Sequence, residues 1–449
     1  MEVNELKQKL REAGAAGAGG AGFPTYAKLG GGIDTVILNC AECEPLLRPH
    51  RHLLSKYPRE VLRGLDALRE SVGAKRALVG IKRSYAAAVE ALNAVSDEFG
   101  KISVSYLPEI YPAGDEVVLI YETTGRVVGA GKLPASEGVC VFNVETAYNT
   151  YRALEGKNVT HKYVTITGEV EKPCTLRLPI GMSFDDAVKL AGKIKCDGYV
   201  YISGGPMTGR IVSGSECVTK TTNAILVMPE NHYIVNKRRA KVSALANRAM
   251  SVCCQCRTCT DMCPRNLLGH PIEPHSFMRA VRYGDNKQIK PVLNTAFCSG
   301  CGVCEMYACP QGLSPRTLIA ECKGELRRGG IKPPEAEMKN VAQRREYARI
   351  PMARLTARLG LKKYDTEVPL DEKEIYPKSV RILFSQHIGA PAVCCVKEGE
   401  HVSEGQCIAH AADGALSVNI HSSVDGIVKA VTQKYAVIES DAERGLADR

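Results

Sequence analysis

Eight of the nineteen cysteines fall in two closely matched runs. The first reads Cys253-x2-Cys256-x2-Cys259-x3-Cys263-Pro264, and the second reads Cys298-x2-Cys301-x2-Cys304-x4-Cys309-Pro310. No other feature limits the fold so tightly. Three thiols at that spacing wrap a tight loop around one small body. The proline after the last cysteine of each run holds that thiol away from its own loop. A doubled run of this kind suits two [4Fe-4S] cubanes, with the last cysteine of each run ligating the other cluster. The spacing therefore assigns Cys253, Cys256, Cys259 and Cys309 to one cluster, and Cys298, Cys301, Cys304 and Cys263 to the second. The second run has four residues before its last cysteine instead of three, so a bulge is expected in the turn before Cys309.

Zinc and disulfides are the competing uses of such cysteines. Zinc fingers pair their ligands across a long loop and do not use a run of three followed by Cys-Pro. Disulfides need an oxidising compartment, and the start of the chain, charged from Glu2 onward, has no apolar core of an export signal. The pattern is that of a two-cluster ferredoxin. Cys254, inside the first run, reads as a non-ligand neighbour that could replace Cys253. The other cysteines are scattered, as reduced thiols are.

At 449 residues, with 45% hydrophobic and 24% charged, the chain is long enough for several domains with cores and is not disordered. No apolar run reaches the length of a membrane span. The formal net charge of +10 invites a nucleic-acid reading. Cluster thiolates and two 2+ cores bring it down to roughly +6. The basic clusters Lys237-Arg238-Arg239 with Lys241, and Arg344-Arg345, also lack interleaved aromatics, so no nucleic-acid partner is expected.

Before the cysteine runs, strands alternate with helices. Strands are expected at Thr35 to Asn39, Arg76 to Ile81 and Ile102 to Leu107, with helices at Pro58 to Val72 and Ser84 to Phe99. This is the pattern of a parallel α/β sheet. The loop Gly17-Ala18-Gly19-Gly20-Ala21-Gly22-Phe23-Pro24-Thr25, with Lys28 nearby, suits an anion. It does not follow a strand, so it is not a dinucleotide fingerprint. Cys40-x2-Cys43 opens no thioredoxin-like helix, which favours thiols lining a pocket over a redox pair or a further metal site.

Four segments carry a resemblance: the glycine-rich loop, Asn39-Cys40-Ala41-Glu42-Cys43-Glu44-Pro45, Tyr111-Pro112-Ala113-Gly114-Asp115-Glu116 and Asn143-Val144-Glu145-Thr146. They resemble the segments that surround FMN in the flavin- and NADH-binding subunit of respiratory complex I. The resemblance implies Gly19, Gly20, Gly22 and Lys28 at the FMN phosphate. It implies Asn39, Glu42, Glu44, Gly114, Asp115, Glu116, Asn143 and Thr146 along the ribityl chain and ring. Ala41 and Cys43 stand where complex I has Asp and Gly, and that turn instead resembles the C subunit of the Rnf electron-transport complex.

Further on, Tyr163 to Val170, Pro173 to Leu178, a helix at Ser183 to Lys193, and strands near Tyr199 to Ser203 and Ala224 to Met228 suggest a β-grasp module. Val164 to Val170 with Pro179-Ile180-Gly181 resembles the soluble-ligand-binding β-grasp family, which binds cobalamin-like ligands or serves as a structural insert. Arg327 to Lys378 reads as a packed linker with a short helix at Leu355 to Leu361. Val396 to Gln406 and Val424 to Val428 resemble a biotinyl or lipoyl carrier hammerhead, with glycine turns that fit a flattened sandwich. The hairpin Ala412 to Leu416 has no carrier lysine, so a barrel-sandwich docking module is expected.

The expected organisation is multidomain, α/β and α+β. It comprises a complex-I-type FMN-binding α/β domain (1–157), a β-grasp module (158–235), a two-cluster ferredoxin domain (240–326), a linker (327–378) and a C-terminal barrel-sandwich hybrid (379–449). That order, with Cys253 to Cys256 and Leu267 to His270, resembles the propanediol-utilisation cobalamin reductases. The resemblance implies an NADH-dependent flavoprotein that uses FMN and two [4Fe-4S] clusters to reduce cob(III)alamin or cob(II)alamin. NADH would give a hydride to the flavin, and the clusters would carry single electrons onward. No acid–base catalytic residue is identified. The implied partners are a corrinoid, an adenosyltransferase and a B12-dependent diol dehydratase in the cytoplasm, inside a bacterial microcompartment and near its shell. An Rnf-like NADH-driven shuttle to another acceptor, and a structural adaptor with a vestigial flavin site, are the alternatives.

Overall fold

The computed structural model describes residues 2–283 and 289–441. Its N-terminal sheet is parallel throughout, with strands in the order Ile102–Leu107, Arg76–Lys82, Thr35–Cys40 and Val139–Asn143. Both faces are covered, which is why these strands read as nearly continuous apolar runs. Val36, Leu38, Val79 and Phe142 point to one face, against helices Val3–Glu12, Pro49–Lys56, Pro58–Ser71 and Val144–Leu154. Ile37, Leu78, Val139 and Val141 point to the other, against helix Glu116–Thr124. Gly64 lets two helices touch: a Cβ there would lie 2.0 Å from the Ala147 carbonyl oxygen. The helix expected from Ser84 to Phe99 is shorter, Ala86–Asn93, followed by a 3-10 turn Ser96–Glu98.

The next sheet is mixed, ordered Leu370–Asp371, Cys174–Pro179, His161–Gly168, Ala224–Pro229, Tyr199–Ser203 and Arg210–Val212. Helix Phe184–Lys189 packs on it through Phe184, Ala187 and Val188. Its first strand comes from the stretch read as a linker, which therefore extends this sheet at its edge. The linker's short helix is Met352–Arg358, with Pro351 at its N-cap, and it starts three residues before the expected Leu355.

The cysteine runs lie among short helices, packed by Ala249, Phe277, Met278, Leu313, Leu318 and Ile319. The extra residue of the second run is absorbed in a π-helical turn, Cys304–Ala308. Such turns accommodate one inserted residue without breaking the helix. The C-terminal domain is a pair of sheets, one ordered Ser379–Leu383, Tyr435–Ser440, Gly426–Val431, His401–Val402, and one ordered Val393–Cys394, Cys407–His410, Ile420–His421. Val380, Ile382, Val402, Ile408, Ile420, Val428 and Ile438 fill the space between them.

Two buried lysines bind these parts together. Lys162 is 1% exposed, pairs with buried Glu145 and donates to Asn223 Oδ1 at 2.7 Å. The Tyr163 N–H, at 3.1 Å, satisfies the other Glu145 oxygen. Lys220 donates to the carbonyls of Gly14 at 2.7 Å and Asn419 at 2.9 Å, joining three domains through one amine. Burial pushes that amine down to about 7.

Candidate functional site

The two cysteine runs fold alike. Backbone in the left-handed region occurs at Gln255 (φ 56°) and Arg257 (φ 70°) in the first run, and at Gly300 (φ 74°) and Gly302 (φ 79°) in the second. These are the same positions relative to each run's first cysteine. The glycines adopt this conformation freely, whereas L side chains pay about 1–2 kcal/mol for it. Arg257→Gly is therefore expected to stabilise the first loop. The net gain is below about 1 kcal/mol once glycine's extra unfolded-state freedom is counted, and the exposed Arg257–Asp261 pair offsets little of it. The denaturant midpoint of the anaerobic protein, followed by its visible absorbance, should rise with iron content unchanged. A lower midpoint would mean that the Arg257 side chain stabilises the loop.

Each run opens onto its own cavity. Cys253, Cys256 and Cys259 share the first with Cys309, and Cys298, Cys301 and Cys304 share the second with Cys263. Exposed Cys254 borders the first beside Cys253. Burial pushes the Cys259 thiol up to about 12 and Cys263 up to about 11, and moves Cys301 and Cys304 upward as well. Each cavity gathers four thiols, the donor set that an iron–sulfur cluster takes. Gln255 Nε2 donates to Cys253 Sγ at 3.1 Å, and the N–H groups of Gly300 and Leu313 donate to Cys298 and Cys309 at 3.3 and 3.4 Å.

A third cavity, of about 540 Å³, runs along strand Val139–Asn143 and reaches Asn39 near the carboxyl end of Thr35–Cys40. Chain order reverses between those two strands. In an open parallel sheet that reversal leaves a crevice where ligands bind. Gly19, Gly20 and Gly22 border it with Lys28, and Asn39, Gly114, Glu116, Asn143 and Thr146 line the rest. Asn143 caps helix Val144–Leu154 by accepting the Glu145 N–H at 2.9 Å, and the Ala18 N–H donates to Thr146 Oγ1 at 3.0 Å. The glycine loop is thus tied to a helix N-terminus, where the dipole favours an anion. A Cβ at Gly20 would meet nothing within 4 Å, while one at Gly19 would lie 2.1 Å from Asn143 Nδ2. The loop therefore presents bare backbone to open space at Gly20, a cradle that suits a phosphate. Lys28 Nζ donates to the Val141 carbonyl at 2.9 Å and faces Glu116 at 3.4 Å.

Three residues named from the sequence stand outside this lining. Glu42, at φ 39°, accepts from the His50 N–H at 2.7 Å and from Arg51 Nε at 2.8 Å. Burial alone would raise its carboxyl, but Arg51 and His50 hold it down at about 2. Glu44 accepts the Met207 N–H at 2.9 Å and the Thr208 hydroxyl, and so clamps the β-grasp module. Asp115 caps helix Glu116–Thr124 through the N–H groups of Val117 and Val118, and its other oxygen accepts from Arg265 at 3.0 Å. Cys40 and Cys43 also stand outside the lining. Cys40 packs in the core, and Cys43 Sγ sits 3.1 Å from where a Gly114 Cβ would be.

The thiol that does line the cavity is Cys140. Sequence reasoning missed it, because the strand Val139–Asn143 was not recognised. It missed Arg265 too, which lines the second cysteine cavity while bonding Asp115. Tyr111 makes a parallel link, its hydroxyl donating to the Cys301 carbonyl at 2.6 Å. The Asp115 turn thus joins the flavin-type cavity to the second cysteine cavity. Arg265 follows Cys263-Pro264 by one residue, which was the available signal.

Comparison with known proteins matches the parts in the same order. Residues 10–152 match the Nuo51 FMN-binding domain, 163–211 the SLBB domain, 252–314 a 4Fe-4S dicluster domain, and 359–445 the RnfC barrel sandwich hybrid domain. The chain is 39% identical over 444 residues to cobalamin reductase PduS of Citrobacter freundii, with 97% of each chain covered. It is 39% identical over 440 residues to cobalamin reductase PduS of Salmonella typhimurium, covering 98% of this chain and 97% of that one. The C subunit of the Na(+)-translocating ferredoxin:NAD(+) oxidoreductase complex of Acetobacterium woodii is 34% identical over 274 residues, covering 60% of this chain and 59% of its own.

Proposed function

The chain belongs to the family of the cobalamin reductases PduS, flavoprotein oxidoreductases with iron–sulfur domains, and from that premise we propose that it carries electrons from NADH to the cobalt of a corrinoid. The observation that carries this reading is the crossed pairing of thiols in two separate cavities, one of them bonded to the rim of a flavin-sized crevice. In this reading the protein holds two [4Fe-4S] clusters. Cys253, Cys256, Cys259 and Cys309 hold one, and Cys263, Cys298, Cys301 and Cys304 hold the other. Bound FMN supplies the exchange between a hydride and single electrons, and the clusters carry those single electrons.

The chain's own residues do the positioning. Gly19, Gly20 and Gly22 with Lys28 hold the FMN phosphate at the capped helix start. Asn39, Gly114, Glu116, Asn143 and Thr146 orient the remainder. Glu42 keeps the Cys40–Glu44 turn in its strained shape through His50 and Arg51, Glu44 fixes that turn to the β-grasp module, and Asp115 keeps Arg265 beside the second cluster cavity. These three act through the turn. In the cell the acceptor would serve a B12-dependent diol dehydratase and its adenosyltransferase, inside a bacterial microcompartment. Among the described residues no helix is long and apolar enough to cross a membrane.

The test is a Cys301→Ala variant, purified anaerobically. NADH should still bleach its yellow chromophore, while NADH-driven reduction of aquacobalamin should lose most of its rate. Reduction at the wild-type rate would mean that the acceptor draws electrons without the second cluster. Absence of NADH-dependent bleaching in the wild-type protein would remove NADH as the donor.

A further inference from the structure

The small sheet of the C-terminal domain carries a side-chain cluster that borders none of the three cavities. Cys395 Sγ, Cys407 Sγ and one His410 ring nitrogen all lie within 4.8 Å of one another. Cys407 Sγ is 3.6 Å from His410 Nδ1, and the Cys395 thiol lies 3.5 Å from the Cys407 carbonyl. Strict alternation along strand Cys407–His410 would send Cys407 and His410 to opposite faces. A register shift between Cys407 and Ala409 prevents that. Two successive residues, Ile408 and Ala409, turn into the core, and Cys407 and His410 are left outward together. Cys395 is brought opposite them by its N–H, which donates to the Ile408 carbonyl at 3.0 Å. Bulges of this kind re-aim side chains at sites.

We infer that Cys395, Cys407 and His410 form a mononuclear zinc-class metal site on the barrel-sandwich domain. Two thiolates and an imidazole are the ligand types that zinc selects, at about 2.3 Å to sulfur and about 2.0–2.1 Å to nitrogen. Tetrahedral bonds of those lengths place ligand atoms less than about 4 Å apart, a small contraction of the observed cluster. Binding forms two Zn–S bonds and one Zn–N bond and releases two thiol protons, so the two thiolates balance the charge of the divalent ion. No oxidant or reductant is involved. Cys395 and His410 are exposed, so the fourth position faces solvent and takes water or an external ligand.

The experiment uses anaerobic holoprotein equilibrated with zinc sulfate, freed of excess metal and analysed for zinc, iron and flavin together. About one zinc per chain is expected, at undiminished iron and flavin, with a zinc-edge absorption spectrum showing two sulfurs at about 2.3 Å. Cys407→Ser and His410→Ala should each weaken zinc at least about 100-fold against a competing chelator, more than the loss of an outer partner costs. Cys196→Ser, remote in the fold, should leave it unchanged. The inference is overturned by wild-type protein without zinc, by zinc gained in proportion to iron lost, by zinc kept in both variants, or by a Cys395–Cys407 disulfide in the anaerobic wild type. Loss of zinc only together with iron and flavin in both variants also overturns it, because that is unfolding.

Discussion

Cys309→Ala should cost the protein the cluster held by Cys253, Cys256 and Cys259, and spare the one in its own run. Along the chain Cys309 follows Cys304 closely, so a reading by proximity predicts loss of the second cluster. The fold says otherwise. The π-helical turn Cys304–Ala308 carries Cys309 away, and its thiol faces the cavity of the first run. Iron should fall from about eight to about four per chain, with one EPR signal of the reduced protein lost. Cys263→Ala should remove the other signal, since Cys263 lines the second cavity. If Cys309→Ala removed the signal that Cys301→Ala removes, the crossed assignment would be wrong. Zinc at stoichiometric level with no iron in freshly isolated protein would remove the clusters altogether.

Gly20→Val should strip the flavin while leaving iron in place. A Cβ at that position meets no protein atom within 4 Å, so the loop has room for a side chain. What it fills is the space over the loop amides. Loss of one or more charge-assisted hydrogen bonds to a phosphate costs about 1.5–3 kcal/mol each, which weakens FMN by about 10- to 100-fold per bond. Gly19→Ala is the contrasting variant, because its Cβ collides with Asn143 and moves the helix cap as well. It should lower stability in addition to flavin content. Stoichiometric flavin retained by Gly20→Val would refute placement of the phosphate at this loop.

Local chemistry is what the sequence could specify alone. Thiol spacing is a property of a few consecutive residues, so the grouping of the thiols that share each cavity, and the need for a bulge before Cys309, were legible from Cys253 to Pro310. The parallel sheet was legible for a similar reason, since strands buried on both faces must be apolar throughout, as Thr35–Cys40 and Arg76–Lys82 are. The glycine loop and the residues around Asn39, Gly114 and Asn143 came from resemblance, and the fold gathers most of them on one crevice.

Tertiary structure decided what depends on distant partners. Glu42, Glu44 and Asp115 read alike as carboxylates of a flavin pocket. Only the fold shows that Arg51, Thr208 and Arg265 claim them, each pairing bringing together residues whose contact no local pattern encodes. Strand Val139–Asn143 hid in the same way, and Cys140 with it. The Cys395–Cys407–His410 cluster rests on a one-residue register shift, which reverses the facing of every side chain beyond it and leaves no mark in the sequence.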